Sequence, residues 1–134
     1  MFMLTTGAGM DLGFPDVCLT PVGPAVVPVP YPDIAMTSTT VPAAYNVLID
    51  CMPVVNQLSI GLMSHGDEGG VLGGVVSHLI DGQTTYMVGC FTILVDGAPA
   101  QRLTSVTGQN CLSMLPNAPG MCICPSQVTV LTLG

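Results

Sequence analysis

Positive charge is almost missing from this chain. Lys and Arg together number one, Arg102, against eight Asp and Glu, giving a formal charge of −7. A nucleic-acid surface is assembled from clustered Lys and Arg that displace counterions, so nucleic-acid binding is excluded. Attraction to anionic membrane surfaces fails for the same reason. Charge of either sign is scarce, at 7% of residues, where an ordinary soluble domain carries about 25%. A surface so poor in charge is expected to be covered in large part by another protein. No apolar run reaches the ~18 residues of a membrane-spanning helix, so stable membrane insertion is not expected. The opening Met1-Phe2-Met3-Leu4-Thr5-Thr6 also lacks the basic region and long apolar core of a secretory leader. The chain is therefore expected to be made in the cytoplasm and, if exported, to leave without cleavage of a leader.

Helix-period apolar stripes are absent as well. Sixteen Gly and twelve Pro are spread along the 134 residues, and short β-rich runs separated by turn residues dominate. This pattern reads as one all-β domain with a modest core. The strands expected are 45–50, 74–80, 84–88, 92–95 and 127–133. Asp81-Gly82 and Asp96-Gly97 read as two-residue hairpin turns, with Asp50-Cys51 at the place equivalent to the second. Residues 21–32, Pro-Val-Gly-Pro-Ala-Val-Val-Pro-Val-Pro-Tyr-Pro, are expected to lie as an extended arm across the sheet rather than inside it, because their prolines lack N–H donors.

What the chain does have is an internal repeat. A shift of 46 residues lays Val47-Leu48-Ile49-Asp50-Cys51-Met52-Pro53 onto Ile93-Leu94-Val95-Asp96-Gly97-Ala98-Pro99, and Gly74 onto Gly120. The same shift lays His65 and His78 onto Cys111 and Cys124. Two imidazoles and two thiolates at matching points are the donor set of a structural Zn2+ site. The expected ligands are His65, His78, Cys111 and Cys124, with Cys122 as the alternative to Cys124 because Cys122-Ile123-Cys124 lets either thiolate reach. Four protein ligands leave no open position for water, so such a site is structural and not catalytic. The other cysteines, Cys18, Cys51, Cys90 and Cys122, read as buried apolar residues. The end of the chain, Val128-Thr129-Val130-Leu131-Thr132-Leu133-Gly134, resembles the 92–97 strand at an offset of 37. Three similar strands around an axis suit a plug or cap on a threefold object. The organisation expected is one domain over 1–134, with a Pro-rich arm in 1–36, a first repeat copy in 45–80, and a second copy plus closing strand in 91–134.

Several stretches resemble the PAAR-like proteins that tip contractile injection machines such as bacterial type VI secretion. They are Phe14-Pro15-Asp16-Val17-Cys18, Pro28-Val29-Pro30-Tyr31-Pro32-Asp33-Ile34-Ala35, Gly66-Asp67-Glu68-Gly69-Gly70 and Gly73-Gly74-Val75-Val76-Ser77. Pro99-Ala100-Gln101-Arg102 looks like the Pro-Ala-Ala-Arg motif itself, with Gln101 in place of an Ala. The resemblance implies a small β-cone whose broad base sits on a trimeric spike protein of the valine-glycine repeat type and whose apex is stabilised by zinc. It implies a structural role, piercing a target membrane and attaching effector or adaptor proteins, for a chain made in the bacterial cytoplasm and exported at the tip of the apparatus. PAAR-repeat relatives hold zinc with three His and one Cys, so the ligand set named above comes from the repeat and not from the family. With the chain ending at Gly134, cargo is expected to bind non-covalently or to be encoded elsewhere.

Two other functions compete: a free-standing zinc- or thiol-handling protein, and a small zinc hydrolase. Ser64-His65-Gly66-Asp67-Glu68 has catalytic residue types, but neighbours on an extended chain point to opposite faces, so Ser64 and His65 diverge. Asp67 and Glu68 before Gly69-Gly70 read as turn residues. Arg102 is expected to pair with a carboxylate or to cap backbone carbonyls.

Overall fold

A computed structural model of the chain describes residues 1–133; Gly134 lies outside the described residues. The fold is all-β, as expected, with one short 3-10 turn at Thr37–Thr39. Twelve strands run in chain order: β1 Met10–Val22, β2 Ala25–Met36, β3 Thr40–Val41, β4 Ala44–Ile49, β5 Met52–Val54, β6 Ile60–Gly61, β7 Ser64–His65, β8 Gln83–Val88, β9 Cys90–Val95, β10 Ala98–Ala100, β11 Val106–Cys111 and β12 Ala118–Cys124. Eight of them form one curled sheet in the order β3-β6-β8-β11-β12-β1-β2-β7. The pairs β4-β5 and β9-β10 stand apart as two-stranded hairpins.

Those two hairpins are the repeat seen in the sequence. Ile49 pairs with Met52 and Leu48 with Pro53 in the first; Val95 pairs with Ala98 and Leu94 with Pro99 in the second. Their turns are Asp50-Cys51, at φ 51° and 65°, and Asp96-Gly97, at φ 51° and 77°. Positive φ at both central residues matches the right-handed twist of the flanking strands. The two ends of the chain supply a third, turnless pair at the matching place, held by an isolated bridge, so the strand expected over 127–133 is not formed as a regular strand. Thr132 N–H donates to Met1 O at 2.6 Å, and Leu131 is bridged to Phe2. Met1, Met52 and Ala98 thus hold equivalent places, as do Thr132, Ile49 and Val95.

A pseudo-threefold axis follows from the backbone hydrogen bonds that close after these hairpins. Leu4 N–H donates to Gln101 O (2.8 Å), Gln101 N–H to Val55 O (3.1 Å) and Val55 N–H to Leu4 O (3.0 Å). A second ring repeats the pattern one step outward: Thr6, Gln57 and Leu103 donate to Pro53, Pro99 and Phe2. Three residues at the centre, Leu4, Val55 and Gln101, are all fully buried. Around them Met3, Val54 and Ala100, which are also equivalent, pack with Ala44, Ile49 and Val95 into the apolar core. The β1-β2 hairpin, the stretch from β6 to β8, and β11-β12 leave this axis and wrap into the large sheet. Their interior is unusually polar, with Asp11, Asp16, Asp33, Asp67, Gln109 and Asn110 all buried. Gly13 is required here because a Cβ would sit 2.3 Å from the Gln109 side chain.

Several expectations need correction. Residues 21–32 are not an arm over the sheet but part of β1 and β2, one strand in from its end. Pro28, Pro30 and Pro32 recur every second residue, so their nitrogens all point away from β1; the β1-β2 ladder runs on through Pro28 and Pro30 and shifts register only between Gly13 and Asp16, opposite Pro32. On that outer side β7 bonds only at Ile34 and Ala35, beyond the prolines. Residues 74–80 are turns joined to β1 by a single bridge, Cys18 to Gly74, and Asp81-Gly82 therefore closes no hairpin. Apolar residues there, Val75 and Val76, are exposed in one turn that is flanked by positive φ at Gly73 (91°) and His78 (60°), which interrupts any strand. Cys51 is exposed at its turn, whereas Cys18, Cys90 and Cys122 are buried as expected.

Candidate docking face and metal centre

The two hairpins and the bridged chain ends present one face outward. Leu48, Leu94 and Leu131 occupy equivalent places and are 58%, 62% and 55% exposed; Tyr45, Phe91 and Val128 are 65%, 66% and 68% exposed. Residues on the other side of the same strands, Ala44, Cys90 and Gln127 at one end and Ile49, Val95 and Thr132 at the other, are all buried. Polar contacts run from one hairpin to the next around the axis: Asn46 Nδ2 donates to Asp96 at 2.8 Å, and Thr129 Oγ1 to Asp50 at 2.6 Å. An apolar face with threefold character, its turn aspartates Asp50 and Asp96 each hydrogen-bonded to a neighbouring segment, is suited to burial against another protein.

The Pro-Ala-Ala-Arg-like segment lies on this axis. Pro99 is half-buried and its carbonyl accepts from Gln57 N–H at 2.9 Å; Ala100 is fully buried; Arg102 is bridged to Met3. Gln101 is fully buried with neither amide atom hydrogen-bonded.

The four repeat-related ligand positions occupy four different settings. His65 is exposed on β7, with Nδ1 3.5 Å from Glu68 and 4.0 Å from Asp81. His78 is exposed in the turn region at φ 60°. Cys111 is buried at the end of β11, its Sγ 3.1 Å from both Thr85 Oγ1 and Gly108 O. Cys124 is half-buried at the end of β12, and Cys122 is buried beside Asp11. Two groups of three potential ligands do come together within 4.8 Å among the described residues: Asp16, Cys18 and Asp67, all buried, and His65, Glu68 and Asp81 at the surface. His65 is the one repeat-related position in either group.

The buried group was missed in the sequence. Asp67, read there as a turn residue, is fully buried, and Ser64 and His65 do diverge, buried and exposed respectively. Cys18 Sγ lies 3.6 Å from Asp16 Oδ1 and 3.6 Å from Asp67 Oδ2. Asn110 Nδ2 donates to Asp67 Oδ2 at 2.7 Å and to Asp16 Oδ2 at 3.3 Å, and Asn117 Nδ2 donates to Asp16 Oδ1. Asp33 joins them from β2, fully buried with neither carboxylate oxygen hydrogen-bonded. Burial pushes its pKa up to about 8; Ser64 opposes the shift, and Asp67 and Asp16 add to it. Burial and the same two aspartates raise the Cys18 thiol strongly.

A separate buried acid, Asp11, accepts from Tyr86 O–H at 3.0 Å, and burial raises its pKa from 3.8 to about 6, against hydrogen bonds from Tyr86 and Cys122. The unfolded chain releases this proton near pH 4 while the folded chain keeps it to about pH 6. Stability is therefore fully present below pH 4 and falls as pH rises through that window, by at most roughly 3 kcal/mol. Urea midpoints of the native chain and Asp11→Asn across pH 4–7 check this: the variant is expected to lose that part of the slope, and an unchanged slope would refute it.

The Toxin PAAR-like domain family matches residues 9–128. This chain belongs to that family. The match confirms the resemblance carried by the Phe14–Ala35 and Gly66–Ser77 motifs, and it covers the large sheet and both internal hairpins. No curated protein and no solved structure matches the chain. A PAAR-like domain carries a spike-tip or toxin-associated role in secretion systems and implies association with spike proteins; the family is a structural domain and not an enzymatic one. No helix among the described residues is long and apolar enough to cross a membrane.

Proposed function

We propose that this PAAR-like chain is the tip that caps the trimeric spike of a type VI secretion or related contractile injection machine. The observation that carries the reading is the trio of equivalent apolar segments around one axis, two strands and the bridged chain end, with Leu48, Leu94 and Leu131 almost equally exposed. A single chain with that face meets each subunit of a trimer in nearly the same way, so one chain saturates one spike. The rest of the reading is mechanical: the opposite end completes the point driven through a target membrane, and the chain fixes effector or adaptor proteins to it. It is exported on the apparatus itself. A structural Zn2+ belongs to the same reading, since the polar interior of the sheet leaves little apolar core to hold it. Mixing the purified chain with a trimeric spike protein from the same cell is expected to give a complex of one chain per trimer by light scattering. A chain that stays free at micromolar concentrations of both would sink the proposal.

A further inference from the structure

We propose that Asp16, Cys18, Asp33 and Asp67 form a buried divalent-cation site, with Zn2+ as the ion that its donors favour. The inference extends the tip reading to its metal, and the two fail separately, because spike capture tests the exposed strands and metal content tests this cluster.

Geometry makes the first argument. Cys18 Sγ stands 3.6 Å from an oxygen of each of Asp16 and Asp67. Ligands at about 2.3 Å (sulfur) and 2.0–2.2 Å (oxygen) from a tetrahedral zinc are separated by roughly 3.5 Å, so the two sulfur–oxygen pairs already have the edge length of that polyhedron, and the third edge lies within 4.8 Å. Asp33 makes the second argument independently. It is fully buried and neither oxygen has a hydrogen bond of normal geometry, the nearby Ser64 hydroxyl being turned to Gly82 O at 3.2 Å, a costly state for a carboxylate that a cation relieves. Asp67 and Asp16 are its charged neighbours, so Asp33 borders the same space; it lies outside the trio that falls within 4.8 Å and closes on the ion as the fourth ligand.

The surroundings are those of an oriented metal site. Asn110 donates to both Asp16 and Asp67 while its own Oδ1 is fixed by Gly82 N–H at 3.0 Å. Asn117 donates to Asp16 while its Oδ1 accepts from Val76 N–H at 2.8 Å. Asp81 N–H holds the remaining Asp67 oxygen at 3.2 Å. Such outer hydrogen bonds aim carboxylates at a metal and are a regular companion of metal ligands. Donor chemistry selects the ion: Ca2+ and Mg2+ take larger all-oxygen shells and keep waters, whereas one thiolate with carboxylates in a closed site suits Zn2+.

The site also has structural work to do. Asp16 and Cys18 lie on β1, Asp33 on β2 and Asp67 in the turn-rich stretch between β7 and β8. That stretch presses closely on β1, since a Cβ on Gly70 would fall 2.2 Å from the Cβ of Cys18. An ion here pins the stretch to the β1-β2 hairpin where the buried side chains are polar.

Zinc titration of the metal-stripped native chain, followed by elemental analysis, tests the proposal. One zinc per chain is expected, with a melting temperature that rises on adding Zn2+ and falls back with chelator. Cys18→Ser and the near-isosteric Asp33→Asn, each checked for native circular dichroism, are expected to lose the bound zinc and the thermal shift, while Cys111→Ala keeps both. A native chain that binds no zinc overturns the proposal without any variant. Loss of zinc in Cys111→Ala with retention in Cys18→Ser also overturns it, and returns the metal to the repeat-related positions His65, His78, Cys111 and Cys124.

Discussion

Leu48→Asp combined with Leu94→Asp is expected to weaken capture by the trimeric spike more than about a hundredfold, or ~2.7 kcal/mol. Both leucines are over half exposed, so the free protein tolerates the change; surface substitutions away from special features usually stay within about 0.5 kcal/mol of stability. In the complex each carboxylate would be driven into an apolar contact with no partner, and burying an unpaired charge is the costliest of common substitutions. Two positions are changed because the face repeats around an axis, and a single substitution leaves two intact strands. An equal pair of charges placed away from the axis, Val26→Asp with Val71→Asp, both exposed, serves as the control. Equal spike affinity for the two double variants would show that the hairpin face is not the docking face. Affinity lost along with loss of the native circular dichroism signal would instead report misfolding.

Leu4→Ala is expected to lower the unfolding free energy by about 2–5 kcal/mol, the usual cost of a cavity at a fully buried leucine. Leu4 is fully buried and packs with Val55, Tyr86, Cys122 and Leu103 just where the three segments meet. Its backbone bonds to Gln101 and Val55 survive truncation, so the loss reports side-chain packing at the axis alone. Gln101, its equivalent, behaves in the opposite way. Both of its amide atoms are buried without partners, so Gln101→Met removes polar groups whose burial is uncompensated, and is expected to be neutral or stabilising. Urea midpoints decide both. A Leu4→Ala midpoint no lower than that of Leu58→Ala, whose leucine is 67% exposed, would mean that the axis is not a centre of stability.

The metal question shows where sequence reasoning stops. Matching His65/His78 with Cys111/Cys124 rests on a real duplication, since the same 46-residue offset relates β4-β5 to β9-β10 strand for strand. Duplication guarantees equivalent places about an axis, not convergence on it. His65 and His78 end up exposed while Cys111 is turned inward against Thr85. The cluster that does converge is assembled from residues 16, 18 and 67, with Asn110 and Asn117 around it and Asp33 beside it. In sequence each looks like a turn or motif residue. The one local hint was an Asp set two residues from a Cys inside an apolar, extended stretch, Asp16-Val17-Cys18, which places both side chains on one face of a strand.

The sequence alone determined the all-β class, the family resemblance and the two internal hairpins, because composition, turn chemistry and a fixed repeat offset are local properties. The resemblance of 128–133 to the 92–97 strand likewise announced a third copy. Tertiary structure alone decided what that copy is. Its second strand is the start of the chain, more than a hundred residues away, and no periodicity in sequence links Met1 to Thr132. The same holds for β1 and β2, where alternate prolines are compatible with a ladder only once one edge has no partner to satisfy. Hydrogen-bond partners across the axis, and the buried carboxylates gathered between the strands, depend on which backbone segments meet, and that is fixed by closing the whole cone.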